Sequence, residues 1–147
     1  VMDEVCNALR EYKLPLLITL RTEDDRTVWM IRPRPIPIEE LAEFLQKNTD
    51  IPTLIANIRP PQLAPLVPLF AQRKNLCIDT SGFMTTLFPV DDTWETVKGQ
   101  MVFGSNAPMT EMYSIKTVID LSAVGQAQKD SIFSCNAFLQ YLPSKNN

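Results

Sequence analysis

Four short apolar runs recur along the chain, each bounded by Pro, Asn or Gly: residues 14–20, 52–58, 75–80 and 100–105. Their residues are nearly all apolar and do not alternate with polar ones, which is typical of strands covered on both faces of a parallel sheet. We therefore predict four parallel strands. The apolar side chains expected in or around the interior are Leu16, Leu17, Ile18, Leu54, Ile55, Ile78, Val102 and Phe103.

Helical periodicity fills the segments between these runs. Apolar residues at i, i+3, i+4 and i+7 from Ile38 predict a helix that begins after Pro37, with two Glu in its first turn. The same spacing covers residues 63–70, but two prolines lie inside it, so we expect a late start, a kink or a partly 3₁₀ helix. Further helices are predicted over residues 3–13, 112–119 and 132–142.

Helices and strands therefore alternate along residues 1–147 without an internal linker, which predicts a single α/β unit built from parallel β/α units. In such a fold the carboxyl ends of the strands meet on one face, where functional loops collect. The polar residues expected there are Thr19, Arg21, Asn57, Arg59, Asp79, Thr80, Ser105 and Asn106. The alternative role of such residues is to cap strands and to satisfy loop backbone groups.

Composition excludes several classes of partner. With 14 Lys+Arg against 17 Asp+Glu, the formal net charge of -3 gives no electrostatic reason to expect nucleic acid or an anionic membrane. The sequence has no apolar stretch long enough to span a bilayer and no signal-peptide pattern at its start. We therefore expect a cytoplasmic location and no membrane partner.

The chain contains no His, which removes the commonest general base and the commonest metal ligand together. Ser-His-Asp, Cys-His and histidine-bound metal sites therefore cannot be built from this chain alone. Its three cysteines, Cys6, Cys77 and Cys135, are scattered and form no CxxC pair, so we expect reduced, buried thiols.

Two further segments have competing interpretations. The Pro-rich residues 32–38 fit either a polyproline II docking ligand or a stiffened loop before a helix, and their position favours the loop. The acidic residues 22–26 fit either a cation site or a solvated loop. The loop is favoured because the spacing and Gly of a calcium loop are missing.

The segments LPLLITLR, IPTLIANI, NLCIDTSG and MVFGSNAP, followed by SCNAFLQYL, resemble a known family. In this order they are similar to the C-terminal half, strands five to eight, of the TIM-barrel metal-dependent hydrolases of the amidohydrolase superfamily. Within that superfamily they resemble the branch of aminocarboxymuconate-semialdehyde decarboxylase. The resemblance covers nearly the whole chain, and FGSNAP, DTSG and NAFLQYL are its most specific motifs. It implies half of a (β/α)8 barrel and a zinc or similar metal at the strand ends of family members.

The chain departs from this family pattern at the metal site. Where the resemblance implies a His at the ends of strands five and six, this chain has Thr19 and Asn57, and where it implies the Asp of FGSDxP it has Asn106. Neutral hydroxyl and amide groups hold zinc poorly, and an Asn amide cannot accept a proton as a general base. We therefore expect no tightly bound metal cofactor.

Two classes of function remain open. In the first, the barrel still handles a small carboxylate-bearing or cyclic substrate, with Arg21 and Arg59 binding an anionic group and with Asp79 and Ser105 beside them. In the second, it has lost its metal and serves as a non-catalytic binding or assembly module, which the three substitutions favour. Ordinary surface salt bridges are the alternative role of the two arginines.

Size sets a final expectation. Eight β/α units take about 250 residues, whereas four strands fit in this chain. Half a barrel has two open edges and an uncovered apolar face, which invite pairing. We therefore expect either a fragment whose missing N-terminal half completes the barrel, or a homo-oligomer. Rearrangement into a flavodoxin-like sheet covered on both faces is a third possibility.

Overall fold

The computed structural model of this chain describes residues 1–21, 35–83, 92–108 and 111–134. Seven α-helices and four strands alternate over the described residues, joined in places by short 3₁₀ turns. The helices are α1 (Met2–Glu11), α2 (Ile38–Lys47), α3 (Pro60–Leu63), α4 (Val67–Gln72), α5 (Asp92–Val97), α6 (Met112–Leu121) and α7 (Gln126–Ser134). The strands are β1 (Leu16–Thr19), β2 (Thr53–Ala56), β3 (Leu76–Asp79) and β4 (Met101–Val102), and the 3₁₀ turns are Ala64–Leu66, Ser81–Phe83 and Lys98–Gln100.

The four strands form one sheet in the order β1-β2-β3-β4, and all three pairings are parallel. Ile18, Ile55, Ile78 and Met101 lie at the same level across the sheet. The prediction of an α/β fold with four parallel strands is thereby confirmed. Because every strand runs in the same direction, the four carboxyl ends share one edge of the sheet.

One hydrophobic core lies between the sheet and its helices. Ile55 and Ile78 are fully buried there and pack with Leu45 of α2, Phe70 of α4 and Ile132 of α7. Burying large aliphatic and aromatic side chains in this way stabilises the fold by about 1.5–3 kcal/mol per side chain. The helices thus fix the sheet, and the sheet fixes where its polar strand ends lie.

The prolines in residues 63–70 act as the sequence predicts. The segment is divided into α3, a 3₁₀ turn over Ala64–Leu66, and α4. A proline lacks a backbone N–H and clashes with the preceding turn, so a continuous helix cannot form there. The helices predicted from Ile38 and over residues 3–13 and 112–119 are present as α2, α1 and α6.

The prediction that Leu17 is interior is wrong, since its side chain is 60% exposed. Exposure alternates along β1, because β1 is an edge strand and only alternate side chains face the core. Ile55, Ile78 and Val102 are buried as predicted. Leu16, Ile18, Leu54 and Phe103 are half-buried.

Several predictions lie outside the described residues. They concern the acidic residues 22–26, residues 32–34 of the Pro-rich stretch 32–38, Cys135 and the part of the terminal helix after Ser134. Cys6 and Cys77 are free thiols and are buried. None of the helices in the described ranges has the length and apolar character needed to cross a membrane.

Candidate functional site

Polar side chains and turns follow the strands at the shared carboxyl edge. β2 is followed by Asn57, and β3 ends at Asp79 and runs into the 3₁₀ turn Ser81–Phe83. In parallel β/α folds this edge carries the functional groups. The sequence places its candidate residues here, and the hydrogen bonds show which of them meet.

Asp79 joins the ends of β2 and β3. Its Oδ1 accepts three hydrogen bonds: from the Asn57 N–H at 2.9 Å, the Ser81 N–H at 3.1 Å and the Ser81 hydroxyl at 2.6 Å. The Asn57 N–H also lies 3.0 Å from Ser81 Oγ. We call these three residues, Asn57, Asp79 and Ser81, the strand-end junction. Its bonds hold two loops in a fixed relation to each other.

Asn57 extends the junction to β1. Its side-chain Nδ2 donates to the carbonyl oxygen of Arg21 at 2.9 Å. The Asn57 backbone has φ of 59°, in the left-handed region that Asn tolerates better than most residues. This hydrogen bond therefore fixes two segments relative to each other. One follows β1 and contains Arg21, and the other follows β2 and contains Arg59.

Thr80 and Gly104 connect β3 to the loop after β4. Thr80 Oγ1 donates to the Gly104 carbonyl at 2.9 Å and accepts from the Gly104 N–H at 3.0 Å. A Cβ at Gly104 would lie 2.4 Å from Asp79 Oδ2, so the missing side chain makes room for the carboxylate. Two residues on, Asn106 also has a left-handed backbone, with φ of 56°.

Burial raises the pKa of the Asp79 carboxyl above its ordinary value. The hydrogen bonds from Ser81 and Asn57 oppose this effect, because they stabilise the charged form. Oδ2 accepts no hydrogen bond from any described residue, whereas Oδ1 accepts three. The carboxylate thus works mainly as a fixed acceptor for backbone groups.

The other predicted site residues lie along the same edge without joining the junction. Thr19 is exposed at the end of β1. Arg59 is the N-cap residue of α3, and its N–H donates to Gln62 Oε1 at 3.0 Å. Ser105 and Asn106 are half-buried in the loop after β4.

Two residues of the site were not among the sequence candidates. Ser81 shares the Asp79 oxygen with Asn57, and Gly104 makes room for the carboxylate. The DTSG motif contains a signal for Ser81, because a Ser two residues after an Asp commonly bonds to it in a turn. Nothing local identifies Gly104, since its contact spans two strands.

The residues at this edge do not fit a zinc ion. Thr19, Asn57 and Asn106 offer neutral donors where a zinc site requires thiolate, imidazole or carboxylate, and the Asn57 amide is already bonded to Arg21. Across the described ranges, no group of three or more His, Cys, Asp or Glu side chains could hold a metal.

A cavity of about 330 Å³ lies at the opposite, amino edge of the sheet. Its walls come from α1 and from the segments that lead into β1 and β2, including Leu9, Leu14 and Pro52. The Arg10 guanidinium spans this region and binds Asp50 at 2.6 Å and Asn48 at 2.8 Å. The cavity is therefore separate from the strand-end junction.

Together the fold and the position of the junction define an α/β protein with four parallel β/α units and a polar carboxyl edge, the architecture of half a TIM barrel. The sequence matches no family model and no curated protein. Solved structures are similar in fold. An uncharacterized TIM-barrel protein, Bb4693 from Bordetella bronchiseptica, matches with a TM-score of 0.71 at 15% identity over 95% of this chain and 50% of that chain.

A second similar structure is 2,6-dihydroxybenzoate decarboxylase in complex with 2,6-dihydroxybenzoate. It matches with a TM-score of 0.61 at 13% identity, over 92% of this chain and 53% of that one. The chain thus spans about half the length of each of these two proteins. At such identities the likeness establishes the TIM-barrel fold.

Proposed function

We propose that this chain is the C-terminal half of an amidohydrolase-type barrel whose carboxyl edge binds a small carboxylate-bearing or cyclic molecule without metal-activated water. The observation that carries the proposal is the 2.9 Å hydrogen bond from Asn57 Nδ2 to the Arg21 carbonyl. It fixes two arginine-bearing segments, at the ends of neighbouring strands, relative to each other. Arginine side chains on these two segments suit a carboxylate ligand, because a guanidinium binds a carboxylate through paired hydrogen bonds.

The ligand class is supported by a protein of the same fold. The 2,6-dihydroxybenzoate decarboxylase structure contains 2,6-dihydroxybenzoate, an aromatic carboxylate, and its fold matches 92% of this chain. Ligands of α/β barrels bind at the carboxyl edge. We therefore use this compound as the probe for the site.

The residues of this chain act on the ligand by position and charge. Arg21 and Arg59 provide positive charge, and Ser105 and Asn106 provide neutral polar groups in the loop after β4. Asp79 holds the strand ends in place, because its Oδ1 is occupied by three internal donors. Asn106 occupies the position at which the family that this chain resembles has its general base, and the Asn amide does not accept a proton.

Calorimetric titration tests the binding. We expect 2,6-dihydroxybenzoate to bind at neutral pH and Arg59→Ala to weaken it by about tenfold or more, because a charge-assisted hydrogen bond to the ligand is lost. Arg10→Ala is the matched control, since Arg10 lies at the amino edge. Equal affinity of wild type and Arg59→Ala, or no binding at millimolar ligand, would contradict the proposal.

The lack of metal chemistry is tested separately. We expect affinity for the probe to be unchanged after treatment with a chelator, and no turnover of small esters, lactones or carboxylic acids above background when zinc is added. The three neutral residues at the strand ends favour this non-catalytic form of the barrel. Zinc-dependent turnover that Asn106→Ala abolishes would show that the site retains catalysis.

A further inference from the structure

Asp79 has one carboxylate oxygen that the strand-end junction does not use. Its Oδ1 accepts all three of the hydrogen bonds that hold the two loops, and Oδ2 accepts none from the described residues. Among those residues, every side-chain oxygen or nitrogen that is sealed from solvent has a hydrogen-bond partner. Because Oδ2 has no such partner, it is open to solvent. The carboxyl edge therefore presents a carboxylate oxygen that a bound molecule can reach.

Asp79 lies on the face of the sheet opposite its main hydrophobic core. Ile78 packs into that core with the helices, and successive side chains of a strand point to opposite faces. Asp79 therefore points away from the core, on the face that lines the interior when an α/β barrel is closed. Side chains at the carboxyl ends of barrel strands are those that contact ligands. Asp79 is thus positioned to touch a molecule bound at this edge.

The donors around Asp79 are engaged with other acceptors. Gly104 lies beside Oδ2, but its N–H donates to a threonine hydroxyl. The Asn57 side chain donates to a backbone carbonyl, and the Ser81 hydroxyl donates to Oδ1. Burial also raises the pKa of the Asp79 carboxyl, because its charged form has lost part of its hydration. A donor on a ligand would replace that hydration at Oδ2.

Charge decides which part of a ligand can meet Asp79. A ligand carboxylate is repelled by Oδ2 and attracted by the segments that contain Arg21 and Arg59, which follow β1 and β2, whereas Asp79 ends β3. Given binding at the carboxyl edge, the proposed function on which this inference rests, we propose that Asp79 Oδ2 selects carboxylates that carry a hydroxyl or amino donor remote from the carboxylate. The two arginines then bind one end of the molecule, and Asp79 binds the other.

Two para-substituted benzoates test this selection by calorimetric titration. The hydroxyl of para-hydroxybenzoate is a donor remote from the carboxylate, whereas the methoxy group of para-methoxybenzoate has an oxygen but no donor. We expect wild type to bind para-hydroxybenzoate at least about tenfold more tightly, because only this compound forms a hydrogen bond to the charged acceptor. The ortho hydroxyls of 2,6-dihydroxybenzoate lie beside its carboxylate, so that compound does not test Asp79.

Asp79→Asn shows whether Oδ2 is the acceptor. The junction donors require the amide oxygen in the place of Oδ1, so the Nδ2 donor takes the place of Oδ2. Since the two side chains have the same size, the preference for the hydroxyl should disappear while circular dichroism shows a folded variant. Asp50→Asn is the matched control and should keep the preference, because Asp50 is exposed at the amino edge, where it binds Arg10.

The outcomes separate this selection from the proposed function. Equal binding of the two para-substituted benzoates to wild type, with both weakened in Arg59→Ala, would overturn the selection and leave the proposed function standing. Binding of 2,6-dihydroxybenzoate alone would do the same. A preference that persists in Asp79→Asn, or that Asp50→Asn also removes, would overturn the selection as well. Binding of none of the three compounds would overturn both.

Discussion

Asp79 illustrates how one buried acceptor can organise the ends of two strands. Its Oδ1 accepts from two backbone N–H groups and one hydroxyl, while burial raises its pKa. The three donors need an oxygen acceptor in that place, and a neutral carbonyl oxygen satisfies the same geometry. The negative charge therefore adds a desolvation cost that the hydrogen bonds only partly offset.

Two substitutions of Asp79 separate the contribution of its acceptor oxygen to stability from that of its negative charge. We expect Asp79→Asn to change the free energy of unfolding at pH 7 by less than about 1 kcal/mol, because the amide oxygen can accept the same bonds. Asp79→Ala should lower it by about 2–4 kcal/mol, since the donors lose their partner. Urea denaturation measures both changes. Equal damage by the two substitutions would show that the charge is required.

The stability difference between wild type and Asp79→Asn should depend on pH, with a definite sign. Because the pKa of Asp79 is raised on folding, its ionisation disfavours the folded state, and this penalty is relieved as the pH falls through the folded pKa. We therefore expect wild type to gain stability relative to Asp79→Asn between pH 7 and pH 4. A relative loss over that range would contradict the assigned direction of the pKa shift.

For single residues, the sequence predicts where a residue lies in the fold better than it predicts which residues it is hydrogen-bonded to. Thr19, Asn57 and Asp79 could be placed at strand ends because each follows an apolar run. The bond between Asn57 and Asp79 joins residues 22 positions apart. Such a contact depends on strand order and register, which local periodicity does not contain.

At the level of elements, Gly82 sets how closely the loops after β2 and β3 approach. A Cβ at Gly82 would lie 1.9 Å from the Ile58 carbonyl oxygen, a backbone atom that cannot rotate away. We expect Gly82→Ala to reduce the free energy of unfolding by about 3 kcal/mol or more. In Gly99→Ala the new Cβ meets nothing within 4 Å, so its effect should stay within about 1 kcal/mol. Similar thermal midpoints for the two variants would refute the close approach.

Arg73 connects elements at the amino edge of the sheet. It is 5% exposed and donates to the carbonyls of Leu45 in α2 at 2.6 Å and of Ile51 before β2 at 2.9 Å. Burial lowers the pKa of its guanidinium, and no described carboxylate forms an ion pair with it. Its role is to satisfy carbonyl groups that water does not reach.

Removing this guanidinium tests that role. We expect Arg73→Ala to destabilise the fold by about 2–4 kcal/mol, because the carbonyls of Leu45 and Ile51 each lose a buried charged donor, and Ile51 keeps only the Thr53 hydroxyl. Arg10→Ala breaks an exposed ion pair with Asp50 and should cost less than about 1 kcal/mol. Denaturant midpoints compare the two variants directly. A larger loss for Arg10→Ala would reverse this assignment of buried and exposed roles.

The type of each element could largely be predicted from periodicity, but its exposure could not. The four runs became four parallel strands, and the proline-containing segment was divided as proline chemistry requires. The prediction that Leu17 is interior was wrong because an edge strand and a central strand of equal apolarity look alike in sequence. Which strand lies at the edge depends on the strand order, and strand order is a property of the whole sheet.

For the whole molecule, alternation of β and α segments was sufficient to predict the fold class, and the solved structures of TIM-barrel type agree with it. The chemistry of the site depended on individual side chains. Neutral residues at three strand ends exclude a zinc site of the usual kind, and the absence of His points the same way. The architecture is thus that of half a barrel, and the proposed function is binding at its carboxyl edge.

The central claim is that the carboxyl edge, and not the cavity at the amino edge, is the binding site. Amide NMR shifts during titration with 2,6-dihydroxybenzoate test it directly. We expect saturable shifts at Asn57, Gly82 and Gly104 and none at Asp50 or Ile51, which line the amino-edge cavity. Shifts confined to Asp50 and Ile51, or no saturable shift at the carboxyl edge, would contradict the account.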